Sequence, residues 1–436
     1  MSRNPNRREV LKATAAAAAA AAGATPAGRV ARAGVGAPPR PRPDKLNQID
    51  AVLRAAVAAG DVPGVVALAA TEDGLVYQGV FGSRRLDGGP AMTTDTVFRI
   101  ASMVKLITTV AALRLVEQEK LALDAPVPAI DPAIGAPLVL EGFDAAGKPQ
   151  LRPARRSILL RHLLTHTAGF AYRLWDAKAL RYFEARGRMR AAARAKLPPT
   201  PLMFDPGARW QYGTSIDWVG RIVEAIGGEP LDLHFRRHIL DPLGMHDTGF
   251  VIAPEQRARE ASVHRRKISG ALAAEPMERP PPLRARPRSF SGGGGIYSTA
   301  TDYLTFLRML LHGGSLGGTR ILRPDTVALM GRNQIGAIEI GTMRTTAPAL
   351  SNDVDFFPGS SCKWGFGHLI NTQPVAGGRS AGSLTWGGLF NTYYWIDPQQ
   401  RIVAVFMTQV LPFADGPALR AYRAFERGLY AAVRAG

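Results

Sequence analysis

Apolar residues Leu46, Ile49, Val52, Leu53 and Ala56 recur at a spacing that places them on one face of a helix beginning near Lys45. Two apolar runs follow, 65–70 and 75–81, separated by Thr71-Glu72-Asp73-Gly74, which predicts two strands joined by a polar turn. A long apolar helix is expected over about 102–118. Near the other end, 385–396 and 401–409 read as the two strands of a hairpin across Asp397-Pro398-Gln399-Gln400, and 418–434 reads as a helix. Strands at both ends with a mostly helical middle predict one sheet assembled from both termini. On this reading 44–125 and 290–436 form the sheet domain and 126–289 inserts as a mainly helical domain. The insert includes two stretches rich in Arg and Pro, 181–199 and 257–288, which are too polar for a core and are expected to border a cleft. There is no internal repeat.

Composition narrows the classes. With 46% hydrophobic and 20% charged residues in 436, the chain has the balance of a well-cored globular protein, and no apolar run reaches the ~20 residues of a spanning helix. A single cysteine, Cys362, allows neither an internal disulfide nor a Cys-rich zinc site. The formal charge of +19 is partly the work of the first 43 residues, which hold eight Lys or Arg and one acid; the remainder is still +12. Those bases are scattered and lack an aromatic-interleaved patch, so no nucleic-acid partner is expected. The N-terminus reads as an address. Arg7-Arg8, a nearly pure alanine stretch over 13–22 and small residues near Ala31-Arg32-Ala33 resemble a twin-arginine export signal over 1–33, followed by a Pro-rich linker over 34–43. This implies the twin-arginine export machinery as a partner, and a periplasmic or secreted destination.

Three segments are candidates for chemistry. Ser102-Met103-Val104-Lys105 has a Ser-x-x-Lys spacing; with 16 serines and 9 lysines about 0.3 such matches arise by chance, so context must decide. Ser360-Ser361-Cys362-Lys363 has the same spacing but lies in a turn running into a strand, where i and i+3 face opposite sides. Ser102 opens a helix, where i and i+3 share a face and backbone N–H groups help to hold an oxyanion. The apolar neighbours of Lys105 would desolvate it and lower its pKa, as a proton acceptor for serine requires. A serine N-cap with a snorkelling lysine is the bland alternative. Tyr212 stands in a loop entering a helix, a place for either a reactive phenol or a packing ring. Trp386-Gly387-Gly388 places paired glycines in a strand pattern, pointing to close approach by a ligand or to a β-bulge.

Other motifs fare worse. Gly378-Arg379-Ser380-Ala381-Gly382 fits a Gly-x-Ser-x-Gly nucleophile elbow, but the expected strand follows the serine and no histidine lies downstream. His162/His166 and His234/His238 have the i, i+4 spacing of zinc ligands, yet neither pair contains the glutamate of His-Glu-x-x-His and no third ligand is evident, so they read as structural. Glycines 292–295 lack the Lys-Ser/Thr of a phosphate loop.

In order and rough spacing, Ser102-x-x-Lys105, Tyr212-x-Thr214 and Trp386-Gly387-Gly388 resemble the serine β-lactamase and penicillin-binding superfamily. So do the segments Arg161-His162-Leu163-Leu164-Thr165-His166-Thr167-Ala168-Gly169 and 291–302. The resemblance runs from about Lys45 to the C-terminus and is greatest to class C β-lactamases and the related family VIII carboxylesterases. It implies an α+β, β-lactamase-like fold, an antiparallel sheet flanked by helices plus an inserted helical domain, with Ser102 in the cleft between them. It also implies that Ser102 is the nucleophile, that Lys105 and Tyr212 transfer protons, and that backbone N–H groups of Ser102 and Leu389 form the oxyanion hole. No metal or organic cofactor is required. Where β-lactamases usually carry Lys-Thr-Gly this chain has Trp386-Gly387-Gly388, and Thr214 stands where Tyr-x-Asn has its amide. A lost hydrogen bond to the β-lactam carboxylate, at ~1.5–3 kcal/mol, means roughly ten- to hundredfold weaker recognition, favouring a small neutral acyl ester as substrate. A β-lactamase, a peptidase or amidase acting on D-amino-acid or ω-amino peptides, and a non-catalytic binding module on the same fold are the alternatives.

Overall fold

Both ends of the chain build the central sheet. The computed structural model describes residues 42–127, 134–191, 195, 197–276 and 289–434; the expected export signal, most of the linker and 277–288 of the second Arg/Pro-rich stretch lie outside them. Helix α1 (Pro43–Ala58) leads into strands β1 (Gly64–Thr71) and β2 (Leu75–Gly82), the predicted hairpin. Near the C-terminus come β3 (Cys362–Trp364), β4 (Leu369–Asn371), β5 (Leu384–Gly388), β6 (Thr392–Asp397) and β7 (Ile402–Met407). Among the described residues these seven strands form one antiparallel sheet in the order β3-β4-β5-β6-β7-β1-β2. The seam between the two ends is β1 against β7, with Val66 opposite Met407 and Thr71 opposite Ile402.

Every residue of β1 and β7 is buried, which explains why both read as unbroken apolar runs: such strands need cover on both faces. Helix α2 (Val104–Glu117) follows the first hairpin. The insert contributes α3 (Leu160–Leu164), α4 (Ala177–Arg188), α5 (Ser215–Gly227) and α6 (Leu231–Phe235), and the return to the sheet adds α7 (Ala300–Leu311), α8 (Pro324–Met330) and α9 (Gly416–Arg434). Helix α7 packs on β1 and β7, while α1 and α9 pack on each other and α1 on β2. On α9, Ala418, Ala421, Tyr422, Phe425, Leu429 and Val433 are buried at helical spacing. Beneath them, the buried Arg379 guanidinium meets the Glu426 carboxylate at 2.7 Å. Among the described residues, no helix is long and apolar enough to cross a membrane.

The insert is not wholly helical. Leu138–Phe143 and Pro149–Pro153 form a hairpin, and with α4 they enclose a small second core around Leu140, Tyr182, Met203 and Phe204. The segment His264–Arg266 pairs in parallel with Val410–Leu411, tying the insert back to the C-terminal part of the chain.

One sequence expectation needs correction. Residues 385–396 are not a single strand: β5 stops at Gly388 and β6 starts at Thr392, with Leu389-Phe390-Asn391 as the turn. The turn is closed by Asn391 N–H donating to Gly388 O at 3.0 Å, with Asn391 at φ 61°, a region asparagine tolerates better than most residues. The apolar Leu389 and Phe390 hide it from a hydrophobicity pattern.

Candidate active site

Ser102 sits on a tight entry to α2. Short strand Val97–Arg99 delivers the chain to Ala101, which is left-handed at φ 43°, and one 3₁₀ turn, Ala101–Met103, precedes the α-helix proper. A non-glycine residue held there stores strain that the surroundings must enforce. One turn on, Lys105 Nζ lies 3.1 Å from Ser102 Oγ, 3.2 Å from Tyr172 OH and 2.6 Å from Gly293 O. Lys105 is only 2% exposed. An ammonium has three N–H donors and no lone pair, and here it meets three acceptors.

The expectation of a lowered lysine pKa is therefore corrected. Burial pulls the Lys105 pKa down, but the oxygens of Tyr172 and Tyr212 and the Asp217 carboxylate outweigh it, and the pKa is raised. The raised pKa favours the ammonium form of Lys105, which has no lone pair to receive a proton from Ser102.

The surrounding elements are shaped to serve that cation. The glycine-rich segment 291–295 threads between α2 and α5, where Thr108 Oγ1 donates to Gly292 O at 2.6 Å. A Cβ at Gly292 would lie 2.5 Å from Ile216 O, and one at Gly293 would lie 2.6 Å from Asp217 Oδ2, so only glycine brings the Gly293 carbonyl to Lys105. Asp217, in the first turn of α5, also bonds Ser291 Oγ. Tyr172 N–H donates to Tyr212 O at 3.3 Å, strapping the two tyrosine segments together, and a Cβ at Gly213 would clash with Phe170 O.

Tyr212 is buried, and its hydroxyl accepts from Trp386 Nε1–H at 3.1 Å. The indole thus stands where the superfamily pattern has a cation, and its one donor is committed to Tyr212. The paired glycines make no bulge, and Gly387 lines the cavity described below. β5 and β6 stay in regular register, and a Cβ at Gly388 would lie 2.3 Å from Ile100 O, so the close approach is by the chain entering the Ser102 turn.

Ser102, Tyr212, Trp386, Gly387 and Leu389 all line one cavity of about 470 Å³, with Lys105 immediately behind Ser102. Its walls are largely aromatic, including Tyr172, Trp175, Tyr297, Phe390 and Phe413. Arg99 is the charged residue among those lining it, and its Nε donates to Glu260 Oε1 at 3.0 Å. Gly388 turns toward Ile100. Thr214 holds the N-cap position of α5 without lining the cavity, and its hydroxyl has no hydrogen-bond partner among the described residues. The described parts of the two Arg/Pro-rich stretches do not line it either: Arg259 pairs with Asp247 at 2.6 Å and Arg181 covers the Phe143 ring, while Arg257 lies behind Tyr297.

The rival serines are placed elsewhere. Lys363 donates to the carbonyls of Ala337 and Ile338, and Ser380 precedes β5 rather than a helix, its N–H held by Asp397. Sequence reasoning missed Tyr172, Asp217 and the carbonyl of Gly293. Asp217 was within reach, three residues after Thr214 on the predicted helix; Tyr172 and a backbone carbonyl carried no pattern.

Comparison with known proteins identifies the family. The β-lactamase family profile matches residues 49–429. The chain is 32% identical over 411 residues to monacolin J acid methylbutanoyltransferase of Aspergillus terreus, covering 90% of this chain and 97% of that protein. It is 31% identical over 382 residues to lovastatin esterase of Penicillium rubens, covering 84% and 94%. The solved structure of unliganded simvastatin synthase from Aspergillus terreus superposes with a TM-score of 0.77 at 31% identity, covering 91% of this chain and 100% of that one. The chain belongs to the β-lactamase family, as a serine hydrolase or acyltransferase of its esterase-like branch.

Proposed function

We propose that this protein cleaves small, neutral carboxylic esters through an acyl-enzyme on Ser102, passing the acyl group to water or to an alcohol. Ser102 Oγ attacks the carbonyl carbon, and the alkoxide of the ester leaves with a proton. Lys105, with its three N–H groups engaged, acts as the electrostatic partner of the Ser102 oxygen. The Ser102 proton passes to the phenolate form of Tyr212, whose negative oxygen the Trp386 N–H holds, and the resulting phenol returns it to the departing alkoxide. Backbone N–H groups of Ser102 and Leu389 hold the carbonyl oxygen. The observation that carries an ester over a β-lactam is Trp386: its N–H is spent on Tyr212, and the cavity's charged lining residue, Arg99, is paired with Glu260, which leaves a carboxylate-bearing substrate without its counter-ion. The relatives named as a methylbutanoyltransferase and an esterase support acyl transfer in this site. Export through the twin-arginine machinery, on the strength of Arg7-Arg8 and the alanine stretch, completes the proposal.

A short-chain p-nitrophenyl ester and a chromogenic cephalosporin, each assayed with the wild-type, Ser102→Ala and Ser380→Ala proteins, test the reaction. Ester turnover should fall by about 10³-fold or more in Ser102→Ala alone, with kcat/KM for the cephalosporin at least ~100-fold below that for the ester. Strong Ser102-dependent cephalosporin turnover would make Trp386 the wrong guide to substrate. Trp386→Phe keeps an aromatic ring beside Phe356 but deletes the N–H to Tyr212, and should lower kcat by roughly tenfold with little change in KM; an unchanged kcat contradicts the role given to that hydrogen bond. For export, replacing Arg7 and Arg8 together by lysine should leave the chain in the cytoplasmic fraction, and undiminished secretion would contradict the twin-arginine assignment.

A further inference from the structure

At the far end of α5 the structure joins residues that sequence spacing left apart. His234 lies on α6, and His238 follows one turn later on a π-turn, Arg236–Leu240. Glu229 comes from the loop that leaves α5, after Gly228 turns left-handed at φ 71°. One ligand atom from each of the three residues falls within 4.8 Å of the others. His238 Nε2 is 2.9 Å and His234 Nδ1 is 3.3 Å from the same oxygen, Glu229 Oε1, and the two imidazole centroids are 4.6 Å apart.

Hydrogen bonding accounts for only part of this. His234 is 3% exposed, its Nδ1 approaches Glu229 outside hydrogen-bond geometry, and its Nε2 has no hydrogen-bond partner among the described residues. A buried polar side chain in that condition calls for a missing ion or water. In a hydrogen bond the donor axis runs through the acceptor. In a metal site the ligand axes miss one another and meet at a fourth point, and bonds of ~2.0–2.1 Å in a tetrahedral arrangement set the ligand atoms about 3.3 Å apart. The His234–Glu229 contact has that separation and that misalignment, while His238, hydrogen-bonded to Glu229 Oε1 at 2.9 Å, would exchange that bond for one to the ion, and the three ligand atoms, now within 4.8 Å of one another, would draw in around it. Space is kept beside it, because a Cβ at Gly227 would lie 2.8 Å from His234 Nδ1. The carboxylate is also held in place: Arg237 Nη1 donates to Glu229 Oε2 at 2.6 Å, leaving Oε1 toward the imidazoles, as ligating carboxylates are commonly oriented by a further hydrogen bond.

We propose that Glu229, His234 and His238 bind one zinc(II) ion, with water as the remaining ligand. Two imidazoles and one carboxylate suit zinc, and the half-exposed His238 gives it an entry path. The ion clamps α6 to the end of α5. Because α6 packs against both α2 and α5, the clamp braces the two helices that begin near Lys105 and Tyr212.

The test uses the full-length chain, stripped with chelator and dialysed against micromolar zinc chloride, with bound metal measured by mass spectrometry. Wild-type protein should hold one zinc per chain, and its Tm should rise with added zinc by mass action. His238→Ala and Glu229→Gln should each weaken zinc binding at least tenfold and abolish the Tm response, with far-UV circular dichroism showing that each is folded. Should either lose its fold, His238→Gln, which retains bulk and polarity at a half-exposed position, replaces it. Absence of zinc from the wild-type protein, or wild-type stoichiometry and affinity in folded variants, overturns the proposal.

Discussion

A lysine ammonium held away from water is the constraint around which this site is organised. Removing such a charge from solvent costs several kcal/mol unless its donors find acceptors, and Lys105 finds them on three separate pieces of chain: Ser102, Tyr172 and the carbonyl of Gly293. The faces of Tyr172 and Tyr212 add cation–π contacts at 5.3 and 5.0 Å, and Asp217 supplies the balancing charge. Each acceptor has its own structural requirement. The Gly293 carbonyl arrives only because 291–295 is glycine-rich enough to pass between α2 and α5, and Tyr172 arrives only because Gly213 lets its segment lie against that of Tyr212. The same cation that makes these demands holds the Ser102 oxygen at a defined point on the cavity wall.

Neutrality elsewhere in the cavity follows from that economy of charge. With Lys105 balanced locally and Arg99 paired to Glu260, the remaining walls are rings: Trp386 packs edge-on to Trp364 at 4.7 Å, stacks on Phe356 at 4.9 Å and leans over Tyr212 at 4.8 Å. His166 lies against Tyr212 from behind, buried and held neutral by desolvation, with its pKa driven well down. On the proposed reading, aromatic walls around Ser102 would suit an apolar acyl chain better than a charged lactam. The exchange of a lysine for a tryptophan changes both the substrate's counter-ion and the hydrogen bond made to Tyr212.

Much of the architecture is legible in the amino-acid sequence. The seam of β1 against β7 follows from two runs too apolar to face water, and α9 from the period of its buried residues. Ser102 and Lys105 separate from Ser360 and Lys363 because one pair opens a helix and the other enters a strand. Where the sequence misleads, a three-dimensional neighbour decides the outcome. The lysine pKa goes up rather than down because Tyr172 and Asp217 converge from distant segments, and local hydrophobicity around residue 105 cannot report them. The turn at 389–391 is apolar in sequence and is specified by the backbone of Asn391. Gly388 does mark a close approach, but the approaching atom is Ile100 O. Glu229 escapes notice because a ligand five residues before His234, on a different element, belongs to no local spacing.

The most direct test of the central claim is covalent labelling with an alkyl fluorophosphonate, which reacts with an activated serine and stops there, followed by intact-mass measurement and peptide mapping. One label per chain on the Ser102 peptide, matched in time by loss of ester turnover and abolished in Lys105→Met, is the result this account predicts. Labelling at Ser380 or Ser360, or full ester turnover in protein that takes no label, would contradict it.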